Sequence, residues 1–359
     1  MPPKDALWPI TPHTTAKHAI LRAYLDAWIP IMDSQSKRLA IIDGFAGPGI
    51  YERGEPGSPV VMLRAFADHS HRGEIERLTM IEYLFVEKDA ARFEWLTGQV
   101  AIEAARLPAH WPAPECVHGD FGEVVAPRID ALGQDGVPIF LFVDPFGYTD
   151  PPPELSKRLL SLRRCEVMTF VPTARITQFL GDEALAPTFD HFFGSRRWED
   201  YRTIGAAAAS RGLAELFKAR LREDAQFVRV FEMATGDGRL YHLFFATNNT
   251  RGHEKMKEAM WRVDPTSGTR FSDATAPGQT VLFSETADLG VLEQSLGATF
   301  PKGEWLRYDK LERYTWDETP YLPKHLKADL DRLIKMKRAH AILRGPKGAF
   351  KPDTLVMLD

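Results

Sequence analysis

Asp43-Gly-Phe-Ala-Gly-Pro-Gly49 follows directly on the apolar run Leu39–Ile42, and that junction decides how the chain is read. Glycines neither continue a strand nor start a regular helix, so the run predicts a tight turn at the carboxyl end of a buried strand, with the Asp43 carboxylate at its mouth. Gly44, Gly47 and Gly49 leave the backbone bare beside Phe45 and Ala46, so a ligand can approach the main chain closely. The Gly-Lys-Ser/Thr ending of a P-loop is absent, which disfavours ATP.

Outward from this turn the same pattern repeats. Upstream, Ile20, Leu21, Tyr24, Leu25, Trp28 and Ile29 recur at helical spacing between Lys17 and Ile31 and predict one buried stripe. Downstream, Gly57-Ser58-Pro59 reads as a capping hydroxyl before a first-turn proline, with a helix from Val60 to Ala67. Tyr83–Val86 is a second strand ending at Glu87-Lys88-Asp89. Cys116–Phe121 is a third with its exit turn, and Pro138–Val143 a fourth that ends in Asp144-Pro145-Phe146-Gly147-Tyr148. Val167–Val171 makes a fifth. Arg229–Ala234 and Leu240–Thr247 flank Thr235-Gly-Asp-Gly238, a hairpin signal, so the sheet is expected to finish antiparallel.

Strands alternating with helices imply parallel pairing through right-handed crossovers: a doubly wound, Rossmann-like α/β sheet whose crevice lies at the carboxyl ends of the strands. Each candidate side chain falls at such an end. Glu87 can accept both hydroxyls of a ribose, with Lys88 beside it, but it lies 44 residues after Asp43; a dinucleotide fingerprint expects about 20, so nicotinamide binding fits poorly. Asp120 can accept from an adenine amino group while Phe121 packs on its face. The Asp144 carboxylate and Pro145 carbonyl form an acceptor pair for an exocyclic amine, with Phe146 or Tyr148 stacking on the base. The plainer readings of the same stretches are a ligand-free glycine turn, a solvated helix start and aromatic residues packed in the core.

The 359 residues suit a catalytic domain with an appended one. The polar loop Gly268–Gly278 marks the exit, giving residues 1–275 and 276–359. In the second part, helical segments at Leu289–Leu296, Trp305–Tyr314 and Lys324–Met336 precede strands Ala339–Leu343 and Thr354–Leu358 around Gly345-Pro-Lys-Gly348. Helices followed by a basic hairpin predict a winged-helix-like module. The whole chain carries −4, yet Lys324–Lys351 holds nine Lys or Arg against Asp329 and Asp331. That segment is therefore +7 and the remainder −11, a distribution suited to phosphate contacts with RNA or DNA through the C-terminal module.

Hydrophobic residues at 44% allow a large core, and two cysteines exclude a disulfide framework. The histidines show no zinc-site spacing, so no metal is expected. The start of the chain has prolines where a signal peptide needs an apolar run, and no stretch approaches a membrane span of about 20 apolar residues. A cytoplasmic protein without membrane contact is expected.

The series Thr15-Ala-Lys-His18, Tyr24-Leu-Asp-Ala-Trp28, Ile42-Asp-Gly-Phe-Ala-Gly-Pro-Gly49, Gly57-Ser-Pro59, Phe142-Val-Asp-Pro-Phe-Gly147, Phe245-Ala-Thr-Asn248 and Lys255-Met-Lys-Glu-Ala-Met-Trp261 resembles the three-Cys-motif partner proteins, TcmP. The resemblance runs through most of the chain, and the motifs are specific in combination. It implies a Rossmann-like methyltransferase domain dependent on S-adenosylmethionine (SAM), and a neighbouring, often phage-related three-cysteine protein as partner. Asp43-x-Phe-x-Gly-x-Gly49 is also similar to the cofactor loop of amino-methyltransferases, and Asp144-Pro-Phe-Gly147 to the motif of tRNA guanine-N2 dimethyltransferases. Carried across, Asp43, Phe45, Gly47 and Gly49 would touch SAM, and Asp144 to Phe146 the target amine.

Three functions stay open at this stage: a methyltransferase for a nucleobase amine in RNA or DNA, a catalytically idle scaffold of the same fold that binds a partner protein or nucleic acid, and a methyltransferase for a small molecule or peptide.

Overall fold

The computed structural model describes residues 6–145, 153–272, 287–343 and 349–359. The chain divides into two units, Met1–Ala259 with Arg270–Gln279 and Met260–Thr269 with Thr280–Asp359.

In the first unit the elements run α1 (Pro12–Asp33), β1 (Arg38–Asp43), α2 (Ser58–Ala67), α3 (Arg72–Leu78), β2 (Met80–Glu87), α4 (Ala90–Ala104), β3 (Glu115–His118), α5 (Phe121–Gln134), β4 (Ile139–Val143), α6 (Pro153–Ser161), β5 (Glu166–Val171), α7 (Thr173–Thr177), α8 (Ala186–Phe193), α9 (Ala206–Arg222), β6 (Phe227–Ala234), β7 (Leu240–Thr247), α10 (Thr250–Val263, whose last turn belongs to the second unit) and β8 (Arg270–Ser272). The sheet order is β3-β2-β1-β4-β5-β7-β6-β8. β1 to β5 pair in parallel, β7 is antiparallel to both β5 and β6, and β8 joins β6 in parallel. The expected antiparallel finish is thus the β6–β7 hairpin, and β8 extends the sheet by one strand at the place where the sequence reads as an exit loop.

β1, β4 and β5 are buried along almost their whole length, as strands covered by helices on both faces must be. Between β1 and β4 the strand order reverses direction, and the carboxyl rim there is the switch point of a doubly wound sheet.

Two buried polar ties fix α1 against this sheet. The Tyr24 hydroxyl donates to Glu166 at the start of β5, and Thr247 Oγ1 donates to the other carboxylate oxygen at 2.9 Å. Seven residues earlier, two helical turns away on the same face, Lys17 reaches the opposite end of the strands. Burial pushes the Glu166 carboxyl up to about 7, although Tyr24, Thr247 and Trp28 all favour its ionised form.

The second unit contains α11 (Leu289–Thr299), β9 (Trp305–Arg307), α12 (Tyr308–Glu318), α13 (Pro323–Lys335), β10 (Ala339–Ile342) and β11 (Leu355–Leu358), with the antiparallel order β10-β11-β9. Leu292, Leu296, Leu311, Leu326, Leu330, Leu333 and Val356 fill its core together with Trp261 and Tyr321. Trp261 Nε1 donates to the Pro320 carbonyl at 2.8 Å, which explains why this unit takes in residues 260–269, upstream of the break at 275 read from the sequence. The helix expected from Trp305 is corrected: 305–307 is a strand, paired through Trp305 to Met357 and Arg307 to Leu355, and the helix begins at Tyr308. Leu306 packs toward the core between the two exposed neighbours, so tertiary pairing overrides helical spacing. Gly345-Pro-Lys-Gly348 lies outside the described residues.

Candidate functional site

A cavity of about 440 Å³ opens at the rim between β1 and β4, inside the range of small-molecule sites, about 300–1,000 Å³. One wall is the loop Phe45–Tyr51 with Gly57 and Ser58 of α2. The other is Asp144, Pro145, the exit of β5 and the β6–β7 hairpin, and the start of α1 crosses between them.

The loop is held from both sides. Gly44 N–H donates to Phe142 of β4 at 3.0 Å, and Ala46 N–H to Val86 of β2 at 2.9 Å. Gly47 (φ +60°) and Gly49 (φ +76°) take the left-handed bends that only glycine adopts without strain. Gly57 N–H donates to the Gly49 carbonyl at 2.8 Å, and a Cβ on Gly57 would meet Gly49 main-chain atoms at 2.7 Å. Gly57 is accordingly the cap residue of α2. Ser58, expected to cap the helix, instead lines the cavity.

Asp43 is fully buried beneath this loop. Its Oδ1 accepts from the Phe45 N–H at 3.0 Å, and Oδ2 has no hydrogen bond of normal geometry among the described residues. Burial raises its carboxyl to about 7. The Ser58 side chain, the Phe45 N–H and Lys17 pull it down, while Asp144 pushes it up.

Asp144 lies one residue past β4, and its Oδ2 forms an ion pair with the Lys17 ammonium. Lys17 is 5% exposed and Asp144 22%; Lys17 also stands 4.5 Å above the Phe170 ring. Phe170 stacks on Tyr241 at 5.7 Å, and Tyr241 on His13 at 5.4 Å, so this side of the cavity is an aromatic wall. Pro145 lines the same cavity. Phe146 and Tyr148 lie outside the described residues.

The stations further along the rim differ in role. Glu87 ends β2 with little exposure, and its Oε1 accepts from Asp89 N–H at 2.7 Å. Asp120 caps α5, accepting from Gly122 N–H at 3.0 Å, and pairs with Lys88 at 2.9 Å. That pairing with Lys88, more than the backbone donors, holds the Asp120 carboxyl below its usual range. Phe121 is a core residue, 3% exposed and stacked on Phe45 at 4.8 Å. Its ring lies where a Cβ on Gly44 would go. Thus Asp43, Glu87, Asp120 and Asp144 share one rim, and Phe45, Ala46, Gly47, Gly49, Asp144 and Pro145 line the cavity; Asp43, Gly44, Glu87, Lys88, Asp120 and Phe121 do not.

Sequence reasoning passed over Lys17, Arg175, Tyr241 and Trp8 as site residues. Trp8 packs edge-on to Tyr51 at 5.8 Å beneath the Arg92 guanidinium at 5.1 Å.

Residues 270–343 match the family model described as GMT-like wHTH domain. The second unit is a winged helix. No curated protein matches the chain. Among solved structures it is similar to an O-methyltransferase from Bacillus cereus in complex with SAH (10% identity, 67% of this chain and 82% of that one, TM-score 0.37). It is also similar to the O-methyltransferase TomG from Streptomyces achromogenes in complex with SAM (15% identity, 67% and 82%, TM-score 0.36) and to the METTL16 methyltransferase domain (14% identity, 64% and 66%, TM-score 0.35). Strand order and direction, rather than these distant likenesses, make the first unit a Rossmann-like methyltransferase sheet with β7 antiparallel in its second half. Among the described residues no helix is long and apolar enough to cross a membrane, and no group of His, Cys, Asp and Glu converges as a metal site would need.

Proposed function

We propose that this chain is a SAM-dependent methyltransferase that acts on an exocyclic amine of a nucleobase in RNA or DNA. The observation that carries this reading is the placing of Asp144 and Pro145 in the same cavity as the Gly47–Gly49 bends, at the switch point of the sheet.

The residues fit the cofactor. The bare backbone of Gly47 and Gly49, with Phe45 and Ala46, would receive its methionine part. Asp43 Oδ2, buried and without a hydrogen bond of normal geometry among the described residues, would accept from a donor that the cofactor brings. On the same rim Glu87 would take the ribose, and Asp120 with Lys88 the adenine edge, while Phe121 supports the loop from below. When bound, SAM supplies an electrophilic methyl group on a sulfonium.

The chain's own residues do the rest. Lys17 occupies one oxygen of Asp144, Oδ2, and the other, Oδ1, would receive an incoming donor. Oδ1 and the Pro145 carbonyl would each accept one N–H of an amine, so that its lone pair is aimed and its rotation stopped; catalysis of this kind is mostly positioning. Asp144 Oδ1 is also the atom able to take the proton the amine gives up. A flat base would lie along the aromatic wall of Phe170, Tyr241 and His13.

The winged helix would deliver the nucleic acid. Its second helix of the helix-turn-helix, α13, carries Lys324, Lys327 and Lys335 exposed, where such modules meet the major groove. A three-cysteine, phage-related protein, the kind of partner that the TcmP resemblance implies, remains the proposed protein partner, in the cytoplasm. Equilibrium dialysis of cofactor-free protein with labelled SAM tests the reading: saturable binding below millimolar concentration supports it, and none at that concentration overturns it.

A further inference from the structure

The walls of the cavity hold three Lys or Arg side chains, and two of them are neutralised in place. Lys17 is paired with Asp144. Arg239, at the end of the β6–β7 turn, is gripped by Asp237, with Nε to Oδ2 at 2.7 Å. The third, Arg175 on α7, is half-buried in the wall and makes no side-chain hydrogen bond or ion pair among the described residues. A guanidinium in a partly enclosed site normally has an acceptor, because its fixed fork of donors loses water on burial. Elsewhere in this chain that habit is kept: Arg38, Arg64, Arg106 and Arg332 each hold one or two carboxylates.

We infer that Arg175 is an anion-recognition residue of the acceptor subsite, and that the methyl acceptor carries a phosphate, as a nucleotide unit does. The inference rests on the reading of this cavity as a methyltransferase site and names the residue that would hold the acceptor's phosphate, whether in a strand or in a free nucleotide. Three features favour phosphate. The fork of a guanidinium matches its oxygens with two parallel hydrogen bonds. Arg175 follows β5, on the acceptor side of the switch point, across from the glycine loop. The surface beside it is aromatic, Phe170, Tyr241 and Phe179, which suits a base attached to that phosphate. Asp144 and Pro145 would then read the amine while Arg175 holds the other end of the nucleotide, and a bare nucleoside would lack that second grip.

The phosphate can belong to a free nucleotide or to a strand, and the test separates the two. Full-length protein is titrated with the four nucleosides, their 5′-monophosphates and a mixed-sequence single-stranded hexanucleotide, with intrinsic tryptophan fluorescence as the readout and labelled SAM dialysed in parallel. Wild-type protein is expected to bind at least one monophosphate about tenfold more tightly than its nucleoside, and Arg175→Gln to erase that preference without changing SAM affinity. Equal binding of nucleoside and monophosphate by the wild type, or a preference that survives in Arg175→Gln, overturns the inference. Tighter binding of the hexanucleotide marks a strand as the source and tighter binding of the monophosphate a free nucleotide, and either supports the Arg175 contact if the variant loses it. Failure of SAM to bind while the phosphate preference holds removes the cofactor reading alone; SAM binding with Arg175 silent removes this inference alone.

Discussion

Lys17 in α1 and Asp144 after β4, 127 positions apart in the chain, form an ion pair inside the cavity, with the lysine almost wholly removed from solvent. The pair decides what Asp144 can do: one oxygen is spent on the lysine and one is left for a ligand. It also shelters Asp43 from Asp144, since the lysine lowers and the second acid raises the Asp43 carboxyl.

Lys17→Met should therefore cost about 3 kcal/mol, the usual penalty for leaving a buried charge without its partner, and abolish methyl transfer. Lys17→Met with Asp144→Leu should recover most of the stability and none of the activity. Urea unfolding of the two variants checks this, and a double variant no more stable than Lys17→Met would show that the pair is not the source of the loss.

Asp43 predicts a distinct pH signature. Its folded value is about 7 against 3.8 in an unfolded chain, so between those limits the folded state keeps a proton that the unfolded state releases. Stability from this group is complete below pH 3.8, falls as pH rises to 7 and is level above it. Asp43→Asn removes the dependence. The wild type should thus lose stability relative to the variant by on the order of 3–4 kcal/mol between pH 4 and pH 7. His18, lowered to about 3 chiefly by burial and then by Lys17, adds an opposite slope between pH 6.5 and 3 in both proteins, so the difference between them is the quantity to measure. A constant offset across that range would contradict the account.

Gly44 and Phe121 form a close fit of backbone on ring. Gly44→Ala should destabilise by about 2 kcal/mol through overpacking, and Phe121→Leu should relieve part of it, with a coupling of about 1 kcal/mol or more in a double-mutant cycle. Phe121→Leu alone should leave SAM affinity within about threefold. A large loss of SAM affinity without loss of stability would restore the direct adenine contact read from the sequence.

The basic segment of the winged helix is divided in function. Arg332 is bound to Glu293 at 2.7 Å and to Asp329 at 2.6 Å, and Arg338 also pairs with Glu293, so these two hold the unit together. Lys324, Lys327 and Lys335 are exposed. Changing all three to Glu should weaken duplex binding and lower the slope of log affinity against log salt by about 3, near one per lost phosphate contact. An unchanged slope would remove α13 from the interface.

Where the sequence was legible, local chemistry and long-range packing agreed. A strand cannot run through Asp43-Gly-Phe-Ala-Gly-Pro-Gly49, and any parallel sheet must bring such strand ends to one rim, so Asp43, Glu87, Asp120 and Asp144 were readable from junctions alone. Lys17 was not, because a lysine at the edge of a helical stripe looks solvated until the helix is docked; the clue was Tyr24, two turns on, whose hydroxyl needed a buried partner such as Glu166. Arg175 stood in a recognised strand exit, but only the fold shows that it has no acidic partner among the described residues. The three-residue strands β8 and β9 carry too little periodicity to announce themselves, and they exist because β6 and β11 had an open edge to offer.

The proposed function has the Lys17–Asp144 cavity methylate a nucleobase amine. Its most direct test is transfer of labelled methyl from SAM to RNA, DNA and protein fractions by wild type and Asp144→Ala, followed by nucleoside analysis, with and without a three-cysteine protein of the proposed partner kind. Label in an N-methylated nucleoside with the wild type, and its absence with an Asp144→Ala protein that still binds SAM, is the predicted result. Label confined to protein, or transfer undiminished in Asp144→Ala, would contradict it.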